Sequence, residues 1–424
     1  MAQLRFDQSA EHALERMRQG VGNLFITGRA GTGKSTLLLH YLKERPRNAA
    51  VVAPTGVAAL RVGGQTIHSF FGFSVDVTPD SIERIRPRRR QLYRSLLMLI
   101  IDEVSMLRAD LHDCIDLFLR KFGPEPGTAF GGVQMVYFGD LYQLPPVVTD
   151  AESSIFSEFY ATPYFFSAMA LHDTGLETIE LETVHRQRDD EFIGILNNIR
   201  DNSVTDCDLS ALNKRLDPGF ESPEGSHYVT LTSTNARADA INERQLAKLP
   251  GNPHQSPAEI TGDFTRNYFP APPMLDYKIG AQIMMLTNDP QQRWLNGTAG
   301  VITGIHTDSD SEVVVGISLP GQDSPIRIGR HSWDLFKFEL NGSRIDAVPV
   351  GQFRQLPFRL AWALTIHKCQ GLTLENAIID LTSVFSPGQT YVALSRCRTL
   401  DDIVLTRRIE HRHIFTDRRL RCLP

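Results

Sequence analysis

The chain has 424 residues, of which 42% are hydrophobic and 22% charged, with a formal net charge of −5. That length allows two or three domains, each burying its own core, while the acidic balance excludes a uniformly basic nucleic-acid coat and requires any polyanion to be met by a local positive groove. The five cysteines, at 114, 207, 369, 397 and 422, form no CxxC pair, and the longest clean apolar run, 96–101, has six residues, which argues against a zinc site, a disulfide framework and a membrane span.

Residues 1–180 alternate apolar runs with helical periodicity, which predicts a largely parallel sheet with crossover helices. Strands are expected at 24–27, 50–53, 97–101 and 133–138. The first runs directly into GRAGTGKS, residues 28–35, and then a helix-forming stretch. Strand, glycine-rich turn and helix together make a phosphate cradle. Backbone N–H groups of Gly31, Thr32, Gly33 and Thr36 can surround a triphosphate, Lys34 can bridge its terminal phosphates, and the Ser35 hydroxyl can hold Mg²⁺.

Residues 72–95 break the pattern with Pro79, Pro87 and the run Arg84, Arg86, Arg88, Arg89, Arg90, then Tyr93 and Arg94. A small wedge standing off the first domain is expected here, its arginines equally readable as a solvated face. The next strand ends in LIIDE, placing Asp102 to anchor the Mg²⁺ and Glu103 to take a proton from an attacking water. A second acid shifts the reaction from phosphoryl transfer to hydrolysis, which speaks against a kinase. An Asp-Glu start to a following helix is compatible with that role. Leu107, Leu111, Cys114, Ile115, Phe118 and Leu119 recur at helical spacing and read as core. In VYFGDLYQLPPV, residues 136–147, a strand and Gly-Asp turn bring the uncharged amide of Gln143 to where a γ-phosphate would be sensed.

A second βα pattern begins near Leu176, with a strand at 229–232, a helix at 236–249 and a strand at 281–286. From 297 to 350 the period is near two, with Gly and Asp turns, which suggests a small β-barrel inserted in the second domain. Strand and helix alternate again from 356 to 424. The expected domains are 1–175 and 176–424. Arg186, in LETVHRQRDDEF, and Arg396, in YVALSRCR, both lie outside the first of them and are candidate arginine fingers. His411 and His413 lack partners at ligand spacing and read as a basic tail.

The ordered set GRAGTGKS, APTGVAALRVGGQTIHSFFG, LIIDEVSML, FGGVQMVYFGDLYQLPPV, HRQRDDEF, LTSTNARADAIN, NGTAGVI, LTIHKCQGLTL and YVALSRCR spans about residues 5–405. It resembles the Pif-type (petite integration frequency) helicases of superfamily one. RecD-type helicases share much of the set but usually carry extra sequence ahead of the adenine-reading element, whereas Gln8 lies only 20 residues before Gly28. The resemblance implies an α/β fold of two RecA-like P-loop domains with parallel sheets, and ATP with Mg²⁺ in the cleft between them. It further implies 5′-to-3′ movement on single-stranded DNA.

By the same resemblance Gln8 reads adenine and Gly371 joins the nucleotide set. Pro54, Thr55, Gly56, His68, Ser69 and Phe70 would line a strand track on the first domain, and Asn235, Thr365, His367 and Lys368 on the second. The physical demand agrees: small residues and helix starts admit phosphates, Lys368 adds charge, and His68 or Phe70 offers a ring for stacking. Phe70 could also be core, and Tyr93 and Trp294 are readable either as base platforms or as packing. The expected substrates are DNA junctions, G-quadruplexes or RNA–DNA hybrids, with repair, recombination or telomere maintenance as settings and replication or repair proteins as further partners. A monomer in the cytoplasm, associated with the nucleoid if the source is bacterial, is expected, with no signal peptide and no membrane contact. The competing expectation is a DNA-stimulated ATPase that clamps DNA or remodels nucleoprotein without unwinding.

Overall fold

The computed structural model describes residues 6–422 apart from 45, 173, 188, 224–225, 309–311 and 383. Its first sheet has six parallel strands: β1 (Asn23–Gly28), β2 (Ala49–Ala53), β3 (Gln65–Thr66), β4 (Met98–Ile101), β5 (Gln134–Phe138) and β6 (Leu176–Leu181), in the order β3-β2-β4-β5-β1-β6. Strands β4 and β5 are buried along their whole length, because crossover helices cover both faces of a parallel sheet and leave no solvated side for polar alternation. Helices α1 (Gln8–Gln19), α2 (Lys34–Lys43) and α3 (Gly56–Arg61) precede or follow these strands.

The second sheet is smaller. Its four parallel strands, in spatial order Ala363–Thr365, Val229–Thr232, Ala377–Ile379 and Ile403–Leu405, pack beneath the helices Asp190–Arg200 and Gln389–Leu394. Both sheets therefore present the carboxyl ends of parallel strands, where open α/β folds bind ligands.

Two expected boundaries shift. Strand β6 pairs in parallel with β1, so the first sheet ends at Leu181 and not near 175. A lone amphipathic strand does not say which sheet edge it joins. The antiparallel region also begins earlier than 297, because its strands run from His254–Pro257 to Phe358–Leu360 and include the strand near 281 that the sequence assigned to the βα pattern. It forms a five-stranded sheet, a three-stranded sheet and a two-stranded ribbon. All of it lies between Val229–Thr232 and Ala363–Thr365, which are neighbours in the second sheet.

The hairpin of His331–Asn341 and Arg344–Gln355 reaches back to the first body. Phe338 and Ile345 join the first core, Asn48 Nδ2 donates to Ser343 O (3.2 Å), and Phe338 N donates to Gln65 Oε1 (2.9 Å). Residues 72–95 do interrupt the path from β3 to β4, but they are anchored: Ile82, Leu92 and Tyr93 are buried, and Tyr93 packs on Phe71 and Phe118. Most of the arginines in this segment are exposed, a solvated face, while Arg89 donates to Phe338 O.

The helix Ala109–Phe122 carries a fully buried imidazole. His112 sits with Nε2 2.7 Å from the Tyr137 hydroxyl and Nδ1 3.0 Å from Phe165 O, and burial pushes its pKa down from 6.5 to about 4. Between those values the unfolded chain binds a proton that the folded chain refuses. Stability therefore rises with pH through that window, and the contribution, on the order of 3 kcal/mol, is fully present above the unfolded pKa. The free energy of urea unfolding measured across the window should lose close to one proton of pH slope in His112→Gln; an unchanged slope would mean that the ring is solvated.

Candidate nucleotide-binding cleft and strand track

Between β1 and α2 the chain turns through Gly31 at φ +88° and Gly33 at φ +84°, a region that favours glycine. Gly31 has a second reason to lack a side chain: a Cβ there would meet Arg186 Cβ at 2.6 Å. The turn opens onto a cleft of about 620 Å³. It is lined by Gly31, Thr32, Gly33, Lys34, Ser35 and Thr36 of the turn, by Asp102, Glu103 and Gln143 after strands of the first sheet, and by Arg186, Gly371 and Arg396 from further along the chain. Every nucleotide-side residue read from the sequence is therefore gathered there except Gln8. That residue is exposed at the start of α1, and Phe6, Asp7 and Ala10 line this end instead.

The cleft is rich in cations. Lys34 Nζ donates to Gly28 O (2.6 Å) and Arg29 O (3.0 Å), and burial lowers its pKa. Arg186 Nη1 donates to Ser395 O (3.2 Å), and burial and then the neighbouring Arg396 both work against its charge. Arg396, 1% exposed, is held by Val392 O, Leu372 O and Ser395 Oγ. None of the three forms an ion pair among the described residues. Arg186 follows the edge strand of the first sheet by only a few residues, so of the two expected fingers only Arg396 is carried by the second sheet. The 185–187 segment joins the bodies: His185 N donates to Gly31 O (2.9 Å), while Gln187 Nε2 reaches Ser395 O and Cys397 O.

Asp102 lies at the end of β4 with its side chain 5% exposed. Burial, then Glu103, push its carboxyl pKa up, and Arg61 opposes them. A hydroxyl at Ser35 and a carboxylate at Asp102 in one cleft are hard oxygen donors of the sort that hold Mg²⁺ jointly with substrate phosphates. No cluster of three His, Cys, Asp or Glu side chains with metal-ligand geometry occurs among the described residues, so a metal here would rely on those phosphates. His411, in the tail, is exposed and pairs with Asp206 at 3.1 Å.

Sequence reasoning missed several partners. Arg61 Nη2 donates to both Asp102 Oδ2 (3.2 Å) and Glu103 Oε1 (2.8 Å). Gln370 Nε2 bridges the cleft to Glu103 Oε2 and Gln143 Oε1, each at 3.2 Å. The Tyr391 hydroxyl accepts from Ala30 N (2.8 Å) and donates to Asp140 Oδ2 (3.2 Å). Arg200 stands 3.5 Å from Asp140 Oδ1 and over the Tyr142 ring at 4.2 Å. Arg61, Gln370, Tyr391 and Asp140 all stand inside the recognised motifs, but spacing alone assigns them no partner.

The residues expected to line a strand track differ in their exposure. Pro54, Thr55, His68 and Ser69 are half-buried, and Asn235, His367 and Lys368 are exposed. Gly56 lies under the 266–268 loop, where a Cβ would meet Asn267 O at 2.1 Å. Two residues are corrected. Thr365, 3% exposed, lies within its strand and accepts from Lys368 N (3.3 Å). Phe70, 4% exposed, packs edge-on against Phe71, Tyr93 and Phe338. Losing a buried Phe side chain costs about 3–5 kcal/mol, whereas stacking one base returns about 1–3, so the ring stays in the core. Tyr93 and Trp294 are packing as well: the Tyr93 hydroxyl donates to Phe70 O (2.7 Å), and Trp294 lies 8% exposed beneath the Arg293 guanidinium.

A family profile described as PIF1-like helicase matches residues 6–209. The ATP-dependent DNA helicase Pif1 of Bdellovibrio bacteriovorus is 31% identical over 91% of this chain and 84% of its own length. The ATP-dependent DNA helicase PIF1 of Rattus norvegicus is 34% identical over 90% of this chain, which spans 58% of that longer protein. A crystal structure of Bacteroides sp Pif1 in complex with ADP-AlF4 superposes with a TM-score of 0.90 at 35% identity, covering 98% of this chain and 95% of that one. The crystal structure of Bacteroides Pif1 bound to ssDNA gives 0.70 at 34% identity, covering 99% and 96%. Phe70→Leu should lower the melting temperature while leaving the oligo-dT dissociation constant within about twofold, measured by fluorescence anisotropy; a tenfold loss of binding in a folded variant would restore Phe70 to the track.

Proposed function

The chain belongs to the PIF1-like helicase family, and from that membership we propose that it hydrolyses ATP to move 5′-to-3′ along single-stranded DNA and to part duplex strands. The observation that carries this is a cleft whose nucleotide wall belongs to the first sheet while Arg396, Gly371 and Gln370 come from the second body. A pocket completed from two bodies changes with their separation, and two strand-gripping surfaces on those bodies then move relative to each other.

In this reading Lys34 neutralises the terminal phosphates and the turn's N–H groups orient them. Mg²⁺, held by Ser35 and Asp102, supplies further charge neutralisation on the phosphates when bound. Glu103 accepts the proton of the attacking water, Gln143 places that water, and Arg186 and Arg396 stabilise the charge that develops as the phosphoryl group leaves. Tyr391, bridging Ala30 N and Asp140, ties the cradle to the second body.

Single strands and forked DNA are the substrates this reading requires. They are met through backbone contacts at Thr55, Gly56, Asn235, His367 and Lys368, so sequence preference is weak and log affinity falls by about 0.7 per contacted phosphate per decade of salt. Entry of a strand at Gly56 requires the Asn267 loop to move off, in keeping with the closer match to the ADP-AlF4 complex than to the ssDNA complex. No helix is long and apolar enough among the described residues to cross a membrane. A monomer is enough for this cycle, and G-quadruplexes and RNA–DNA hybrids are further substrates under it, with repair or replication proteins as partners.

Oligo-dT should raise steady-state ATP turnover at least tenfold, and Glu103→Gln should cut the DNA-saturated rate by about 10²–10⁴ while binding oligo-dT like the wild type. Lys34→Ala should lose turnover likewise. A duplex with a 5′ overhang should be unwound faster than one with a 3′ overhang. Equal turnover with and without oligo-dT would refute the coupling, and stimulated turnover without strand displacement would leave a clamp in place of a helicase.

A further inference from the structure

We propose that Arg61 is a positioning residue that reports occupancy of the strand-contact turn at Thr55 and Gly56 to the Asp102–Glu103 pair, withholding Glu103 until a strand is bound. This rests on reading the cleft as an ATPase and that turn as strand contact. The two sites are joined by one short element. Helix α3 begins at the Thr55 cap, whose hydroxyl accepts from Ala58 N (3.3 Å), and ends at Arg61. Six helical residues span about 9 Å and transmit displacement as a rod.

Both ends of that rod are held by other parts of the molecule. At its start, Gly56 is pressed beneath Asn267 O, so closely that a Cβ would approach to 2.1 Å. At its end, Arg61 Nη2 is shared between Asp102 Oδ2 at 3.2 Å and Glu103 Oε1 at 2.8 Å. The three side chains are 27%, 5% and 17% exposed, so water screens this contact far less than a surface pair. Glu103 Oε2 is taken by Gln370 Nε2 (3.2 Å). With both oxygens engaged by donors, the carboxylate is poorly placed to accept a proton from water.

The guanidinium is tightly seated but not fully satisfied. Gly371, at φ +80°, leaves room for Nη1 where a Cβ would stand 2.0 Å away, yet Arg61 Nε is buried with no hydrogen-bond partner. A buried N–H left unpaired disfavours this arrangement, which suits a state that gives way when a strand competes for the other end of α3. Phosphates drawn to the Thr55–Gly56 turn shift the rod, Arg61 withdraws, and Glu103 is freed to face the water.

The test compares wild type, Arg61→Gln and Arg61→Lys in two measurements: ATP turnover without and with saturating oligo-dT, and the oligo-dT dissociation constant by fluorescence anisotropy with and without Mg-ADP. Arg61→Gln should raise DNA-free turnover roughly tenfold, within the range of typical site-to-site coupling, and leave the DNA-saturated rate within about twofold. The effect of Mg-ADP on oligo-dT affinity should shrink, leaving only what the two-body cleft transmits. Arg61→Lys keeps a cation near one carboxylate, should retain most of the stimulation, and serves if the glutamine variant does not fold. Unchanged stimulation and unchanged nucleotide effect in Arg61→Gln overturn the proposal, as does an equal fall in both rates, which would make Arg61 a plain support for the acids. A wild type that oligo-dT fails to stimulate removes the ATPase-coupling reading itself, and this proposal with it.

Discussion

Lys34, Arg186 and Arg396 line one cleft and form no ion pair among the described residues, so three cations meet there with no carboxylate in contact, and only the longer-range pull of Asp140 and Glu103 favours the charge on Lys34. Burying a cation without a contacting anion is unfavourable, and burial pushes the pKa of both Lys34 and Arg186 down. The chain tolerates it by giving each cation backbone carbonyls or a hydroxyl as neutral acceptors. A triphosphate supplies the missing charge, so binding free energy is available to draw two bodies together. The acids of the same cleft are treated differently, because Asp102 and Glu103 share an arginine of their own.

The topology makes this arrangement achievable. The first sheet directs the carboxyl ends of its strands toward the cleft, the second body adds the segments at 371–373 and 396–398 that lead into its strands Ala377–Ile379 and Ile403–Leu405, and the 185–187 segment stitches the cradle to the Ser395–Cys397 turn. The antiparallel insertion has a different task. Its hairpin seats Phe338 on Phe70 and its 266–268 loop covers Gly56, so the strand track of the first body is bounded by an element belonging to the second. In the proposed cycle, displacement of that overlying element would let strand binding and cleft geometry depend on each other.

Much of this was legible from residue order, for a physical reason. Local chemistry such as GRAGTGKS after a strand, or LIIDE at a strand's end, needs only its immediate neighbours to be interpreted. The helix expected at 236–249 forms as Asn235–Lys248, and the strand at 229–232 lies where the pattern placed it. What failed depended on distant partners. Strand β6 reads the same whichever edge it joins, Phe70 looks like a stacking ring until Tyr93 and Phe338 close over it, and Thr365 looks available until its strand is buried. Arg61 stood inside a recognised motif without a role because its meaning lies entirely in two carboxylates more than 40 positions away.

The central claim is that the second body completes the catalytic charge, and Arg396→Lys tests it most directly. Lysine keeps the positive charge but loses the planar fork of donors that arginine presents. DNA-saturated turnover should fall by about 10² or more while the equilibrium dissociation constant for Mg-ADP stays within a few-fold. Turnover at the wild-type rate with unchanged nucleotide affinity would contradict the account, because the cleft would then be complete without its second half.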